Sequence, residues 1–414
     1  MASNLCAKGL AAIAQLYAIF VFTRMQTQEE AALIFLLLGY AIWFQIFEFG
    51  LAQTLQNKFN SKVINSNDVL KTILVHYIFL LFLAAFIVFT PYLSDVLLPK
   101  AKRSSDDYGV FAFTIGAAIL VVASNNVLIQ RFLLVINKGF FGNLLLLFQS
   151  LASLTGLTIY NYYGQSNAVV AVLVYLGPQV VVSIPVLLRF FFILKSAQTK
   201  KSKMRTGMIF YESLGFCGIG ILSAAFLGSD YYFAAHYLDS EEVTSYYLVT
   251  RIYFISFVVY YAYLLHRVKR LSILSLLNNS VGVFTTMKDA MLVGFFCVVL
   301  VFFSAVLLEQ WGIFKLMTNG LGASQILLFW GFMYFLVRVI RDVVVVVASS
   351  LNKKNILYKI YLLEIFVSLV IMYFLTPTYR GIGIFLSMMI ACLIGILYFI
   401  WHIKKSKNTD RLAV

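Results

Sequence analysis

The chain has 414 residues, of which 62% are hydrophobic and 12% charged, and its formal net charge is +15. Soluble domains carry about 25% charged residues, and a folded surface this poor in charge cannot face water. A cytosolic enzyme, a secreted disulfide scaffold, a disordered chain and an anchored soluble domain are all excluded; the solvent of this protein is lipid.

A spanning helix needs about 20 mostly apolar residues. In chain order such stretches run over 5–24, 31–56, 69–90, 109–135, 140–161, 168–192, 208–228, 243–265, 286–308, 323–350, 356–376 and 381–403. They are continuous rather than alternating, which excludes a β-barrel. The opening MASNLCAKGL has a single lysine and no small-residue cleavage site, a poor match to a signal peptide, and is expected to start the first span. Gly177, Pro178 and Pro185 are expected to bend the sixth span. Cys6, Cys217, Cys297 and Cys392 lie in apolar runs without a CxxC or Cys/His cluster, so neither a metal nor a disulfide is indicated.

Lysines and arginines fix the expected orientation. With the N-terminus inside, Lys58, Lys62, Lys71, Lys138, the 195–205 segment KSAQTKKSKMR, Arg267, Lys269, Arg270, Lys288, Lys353, Lys354, Lys359 and the C-terminal basic residues all face the cytoplasm. The outside holds mostly acids, among them Glu29, Glu30, Asp95, Asp106, Asp107, Asp230, Asp239, Glu241, Glu242 and Glu309. In a soluble protein the +15 would suggest nucleic acid; here topology accounts for it, and no nucleic-acid partner is expected. The basic 195–205 segment is a topology signal placed to meet anionic lipid headgroups.

That segment divides the spans into two sets of six. A shift of about 212 residues lays Gln28-Glu29-Glu30 on Ser240-Glu241-Glu242, and Ile136-Asn137-Lys138 falls near Leu351-Asn352-Lys353. The expected organisation is an N-terminal lobe at 1–194, a basic linker at 195–207, a C-terminal lobe at 208–403 and a cytoplasmic tail at 404–414. Two parallel six-helix repeats are the architecture of an alternating-access transporter.

Ionisable residues inside spans cost several kcal/mol, about 2.5–3.5 on insertion scales, if they face lipid. Arg131, Arg189 and Glu212 lie near cytoplasmic ends and can snorkel. Arg251, Arg338, Arg341, Asp342, Glu48 and Glu364 lie deeper. Arg338 and Asp342 are four apart and can pair, which leaves Arg341 to Glu364 or to a ligand. Arg24, Arg251, Arg338 and Arg341 are candidate substrate-binding cations, because a guanidinium suits a diphosphate. Glu48, Glu212, Asp342 and Glu364 are candidate carboxylates for coupling transport to proton or sodium entry. Gln45, Gln53, Gln56, Asn57, Asn125, Asn126 and Gln130 can bond sugar hydroxyls or neighbouring helices. His76 and His236 are isolated and read as packing or hydrogen-bonded residues. A P-loop, a zinc-protease motif and a nucleophile elbow are missing from the sequence, and the 91–108 loop lacks a His/Asp/Glu constellation, so no enzyme or cofactor is expected.

The segments Phe47-Glu48-Phe49-Gly50-Leu51, Gly228-Ser229-Asp230-Tyr231-Tyr232-Phe233 through Tyr246-Tyr247, and Leu351-Asn352-Lys353-Lys354-Asn355 resemble those of the Wzx-type polysaccharide flippases. These belong to the multidrug/oligosaccharidyl-lipid/polysaccharide (MOP) exporter superfamily. Glu48 stands where that family usually has Asp, which keeps the charge. The resemblance implies an all-α protein of about twelve spans in two lobes, both termini inside, in a bacterial inner membrane. It implies transfer of an undecaprenyl-diphosphate-linked oligosaccharide, such as an O-antigen repeat unit of lipopolysaccharide, to the periplasmic leaflet. Membrane lipids and other polysaccharide-assembly membrane proteins are the implied partners. A drug or organic-cation exporter of the same architecture is the alternative, and a glycan polymerase or ligase a further one.

Overall fold

The computed structural model describes residues 2–60, 63–89, 107–135, 139–164, 167–185, 187–188, 192, 206–276, 280–318, 320, 322–350 and 354–412. The 195–205 linker, most of the 91–108 loop and Arg189 lie outside them, as do the side chains of Arg131, Gln45, Gln53, Gln56 and Asn57. Among the described residues every regular element is helical. The helices are α1 (Ala2–Met25), α2 (Gln28–Gly39), α3 (Ala41–Phe44), a 3-10 turn (Gln45–Glu48), α4 (Leu51–Asn60), α5 (Ser66–Phe89), α6 (Asp107–Ala123), α7 (Asn125–Val135), α8 (Gly139–Tyr162) and α9 (Ala168–Val181). There follow α10 (Thr206–Tyr237), α11 (Ser240–Leu276), α12 (Ser280–Gln310), α13 (Ile313–Met317), α14 (Gln325–Ser350) and α15 (Lys354–Leu412).

The chain is a polytopic membrane protein. Eight described segments are long and apolar enough to cross a bilayer, and one of them, Asn355–His402, has 48 residues. At 1.5 Å per residue that segment is about 72 Å long, enough for two crossings. It breaks at Arg380, whose φ of 54° and ψ of −133° are not helical. Helices α1, α11 and α14 complete the expected twelve. Two of these three, α11 and α14, carry Arg251, Arg338, Arg341 and Asp342 inside their apolar stretches.

Aromatic stripes mark the lipid side. On α5, Phe82, Phe86 and Phe89 are 73%, 64% and 83% exposed and follow the helical period. In water such a stripe would drive aggregation; in hydrocarbon it costs nothing. Facing inward from the same helix, Val69, Ile73, Leu80 and His76 are buried.

The chain forms two compact units, Met1–Ala224 and Ala225–Val414. In the first, α1 packs on α8, α9 on α6 and α8, α5 on α6, and α4 on α7. In the second, α14 packs on α15, α11 and α12, and α11 also on α12. The same cap opens a helix in each unit. Thr27 accepts from the amide of Glu30 at 3.3 Å while Glu30 accepts from Thr27 at 3.1 Å. Asp239 and Glu242 repeat this reciprocal bond at 2.9 and 3.2 Å. The caps lie 212 positions apart (242 − 30), the shift that aligns the sequence halves. Each satisfies two amides that a helix start otherwise leaves unbonded.

Several spans differ from expectation: 109–135 divides at Ser124 into α6 and α7, the helix expected over 243–265 runs on to Leu276, and two further differences place buried groups. The stretch 31–56 is not one helix. It stops at Gly39, makes a short turn through Glu48 and restarts at Leu51. Phe49 (φ 53°) and Gly50 (φ 68°) are both left-handed there. Gly50 is required, because a Cβ would lie 2.7 Å from the Cys217 amide nitrogen and 2.7 Å from Phe216 Cβ. The other difference is α10, which was expected to end at 228 but continues to Tyr237. No glycine or proline interrupts 229–237, and the extra turns carry Asp230 into the buried interior, where it is 6% exposed.

Candidate functional site

The second unit contains a buried polar cluster on α10, α11, α14 and α15. A tyrosine stripe on α11 builds its floor. Tyr246, Tyr253 and Tyr260 recur every seven residues and so share one helix face. Tyr253 donates to the Leu328 carbonyl at 2.7 Å and Tyr260 to that of Val339 at 3.0 Å, joining α11 to α14. Tyr246 donates to Asp230 Oδ2 at 3.0 Å, joining α11 to α10. Glycines let the tyrosines approach: a Cβ on Gly331 would sit 2.9 Å from the Tyr253 ring, and one on Gly294 2.9 Å from that of Tyr260.

Arg341 is 3% exposed and is already engaged by acids. Its Nε and Nη2 reach the two oxygens of Glu364 at 3.1 and 2.8 Å, and Nη1 reaches Asp342 Oδ1 at 3.1 Å. This forked contact joins α14 to α15. The ring faces of Phe226 and Tyr361 cover the guanidinium at 5.1 and 4.8 Å. Of the two partners left open for Arg341, Glu364 and a ligand, Glu364 takes it in the structure, and Asp342 adds a third bond. Asp342 does not belong to Arg338 alone. It accepts from Arg341 and from the Tyr261 hydroxyl at 2.7 Å, and Arg338 Nε stands off at 3.8 Å.

Arg338 is held differently. Its Nη1 donates to the Tyr334 hydroxyl at a long 3.3 Å. The guanidinium otherwise meets aromatic faces, with Phe257 at 5.1 Å, Phe254 at 5.2 Å and Phe335 at 5.6 Å. Among the described residues its buried Nε has no hydrogen-bond partner. Arg251, half-buried on α11, lies 4.6 Å from the Tyr247 ring and 5.6 Å from Phe254, so both arginines share the Phe254 ring. Arg251 and Arg338 both lie within electrostatic reach of Asp230. The cluster thus opposes Arg251, Arg338 and Arg341 with Asp230, Asp342 and Glu364, and the arginine excess expected from sequence is balanced by Asp230. That acid was missed because the span was ended at 228; the unbroken helical run to Tyr237 was the available signal.

The remaining candidates lie in the first unit. Arg24 is exposed at the last turn of α1, with its guanidinium 4.2 Å from the Phe20 ring. Glu48 accepts from the Ala52 amide at 3.2 Å and caps the restarted helix α4. Glu212 pairs with Lys58, joining α10 to α4. Asn126 and Gln149 both donate to the Gln179 carbonyl, at 2.8 and 2.9 Å, beside the proline-containing turn of α9. Asn126 thus serves as an interhelical tie.

No family model and no curated protein matches the sequence. Solved structures do match in fold. A lipid II flippase, MurJ, in an inward closed conformation aligns over 96% of this chain and 86% of its own, with a TM-score of 0.69 at 15% identity. A multidrug resistance MATE family transporter of the MOP superfamily, inward-facing, covers 98% and 96% with a TM-score of 0.69 at 14% identity. A MOP superfamily transporter from Pyrococcus furiosus, described by the reverse polarity of its binding pocket, covers 98% and 95% with 0.69 at 16% identity. The chain has the fold of MOP superfamily transporters.

Proposed function

We propose that this protein is a flippase that moves an undecaprenyl-diphosphate-linked oligosaccharide from the cytoplasmic to the periplasmic leaflet of a bacterial inner membrane by alternating access. The observation that carries the reading is Arg338, a buried guanidinium whose neighbours are mostly ring faces and whose Nε has no hydrogen-bond partner among the described residues. A diphosphate supplies the acceptors that such a group needs. Arg251 beside it supplies a second fork, and Tyr247 and Tyr334 supply flat faces and hydroxyls suited to sugars. The lipid tail stays in the bilayer while two lobes, 1–194 and 208–403, rock about the 195–207 linker. The MurJ likeness supports a lipid-linked substrate; the MATE likeness supports the second reading.

That second reading is export of an organic cation, and buried Asp230 favours it. Purified protein in proteoliposomes separates the two. A fluorescent undecaprenyl-diphosphate oligosaccharide is expected to equilibrate between leaflets faster than in protein-free vesicles, with no efflux of a lipophilic cation. Cation efflux without lipid movement would replace the proposal by the exporter. Orientation is tested separately: reporter fusions after Lys203 and after Asp239 are expected to report cytoplasm and periplasm. The same compartment for both would sink the twelve-span topology.

A further inference from the structure

The break in the span over 31–56 is held by a histidine. His76 on α5 is 1% exposed. Its Nε2 lies 2.7 Å from the Phe47 carbonyl oxygen, inside the break, and its Nδ1 lies 3.0 Å from Asn125 Oδ1 on α7. A carbonyl can only accept, so Nε2 carries a proton. With the amide oxygen of Asn125 toward the ring, which also only accepts, Nδ1 needs a proton as well and the ring is an imidazolium; with the amide turned over, the same 3.0 Å contact makes Nδ1 an acceptor. The other end of the Asn125 amide supplies the complementary fact. Its Nδ2 is buried and has no hydrogen-bond partner among the described residues, although Asn125 is 1% exposed. Leaving a buried donor unmade costs about 1–3 kcal/mol. A half-turn of the carboxamide would aim that donor at Nδ1, which suits a neutral ring with its lone pair there.

Two states of one site are therefore available, differing by one proton on Nδ1 and by the orientation of Asn125. The bond from Nε2 to Phe47 persists in both. In the charged state it is a charge-assisted bond, roughly twice as strong as a neutral one. It bears on a backbone that needs holding, because Phe49, two residues on, is left-handed without being glycine, and its ring meets that of His76 edge to face at 6.2 Å. The ionisable groups nearby are Glu48 on the same turn as Phe47, Cys217 on α10 within electrostatic reach of Glu48, and the Lys58–Glu212 pair of α4 and α10. Along α5 itself stand Asp68, which bonds Asn65, Lys71 and Tyr77. Asp107 and Tyr108 begin α6 at its other end and Arg131 lies toward the end of α7; their side chains are outside the described set.

We infer that His76 is a proton-binding site in the first unit, that Asn125 reads its state by turning its amide, and that the charge is delivered to the break at Phe47–Gly50. The site gives the protein a means of coupling to protons that uses none of the carboxylates in the arginine cluster.

The test uses the full chain in lipid nanodiscs with nitrogen-15-labelled histidine, and with His236, His266 and His402 replaced by Gln so that His76 alone reports. The difference between wild-type and His76→Gln spectra provides the same signal if the triple variant folds poorly. Across a pH series, the acid form is expected to show both ring nitrogens protonated and the alkaline form only Nε2, with loss of the Nδ1–H signal. An Nδ1–H tautomer at any pH, or a single unchanging form, would overturn the proposal. Asn125→Asp, which offers acceptors and no donor, is expected to keep both nitrogens protonated throughout; a response like wild type would remove Asn125 as the reader. The measurement needs no substrate, so its failure and the failure of the flippase reading are separate results.

Discussion

Replacing Arg341 by Ala is expected to remove most of the folded protein from the membrane, because it strands Glu364 at 0% exposure with no other described cation beside it. Breaking a buried pair from one side costs about 3–5 kcal/mol, a large part of the ~5–15 kcal/mol that holds a typical domain together. Glu364→Ala should be similar, although Arg341 keeps Asp342 and two ring faces. The diagnostic variant is the double replacement Arg341→Met with Glu364→Leu. It removes both charges, and apolar substitutes for a buried pair are often neutral or stabilising. Thermal unfolding in detergent should show two damaged single variants and a recovered double one. A single Arg341→Ala that melts like wild type yet fails to transport would make Arg341 a ligand group instead of a lock between α14 and α15. Gly395 reports on the same lock, since a Cβ there would lie 2.5 Å from Glu364 Oε1.

Arg338→Ala is expected to have the opposite profile, with folded protein retained and substrate lost. Asp342 keeps Arg341 and Tyr261 when Arg338 goes, so that acid is not stranded. A hydrogen bond to a charged group contributes about 1.5–3 kcal/mol, which corresponds to a loss of roughly tenfold to a hundredfold in affinity. Arg338→Lys should lie between, since an ammonium provides the charge but not the fork. Arg251→Ala should act in the same direction. Binding of a short-chain polyprenyl diphosphate to purified variants checks this, with melting temperature as the control. Asp230→Asn discriminates the readings from the other side. It should leave diphosphate binding intact or stronger by removing a like charge, whereas an organic-cation exporter would lose its cation. Unchanged diphosphate binding in both arginine variants would refute their assignment.

The four carboxylates considered for ion coupling all have partners in the structure. Asp342 and Glu364 face arginine, Glu212 faces Lys58, and Glu48 caps α4. Pairing of this kind serves cohesion between helices, and it directs the search for a coupling group to sites such as His76.

Some of this was legible in the residues alone. Composition required lipid as the solvent, because no arrangement of 12% charge can cover a surface of this size. Apolar run length located the spans, since hydrocarbon thickness sets a length that sequence must match. The Glu30 and Glu242 caps were visible as a repeat, because capping is local chemistry over four residues. Tertiary structure decided the rest. Whether Asp342 serves Arg338 or Arg341 depends on where α11 places Tyr261, 81 positions from Asp342, and where α15 places Glu364, 23 positions from Arg341. Asp230 became an interior residue only because α10 runs on past Gly228 and α11 returns Tyr246 against it. His76 looked isolated because its two partners, Phe47 and Asn125, are 29 and 49 positions distant. In a membrane the span itself is a local property of the chain, whereas the partner of each buried polar group is set by packing between helices, and only the folded arrangement determines it.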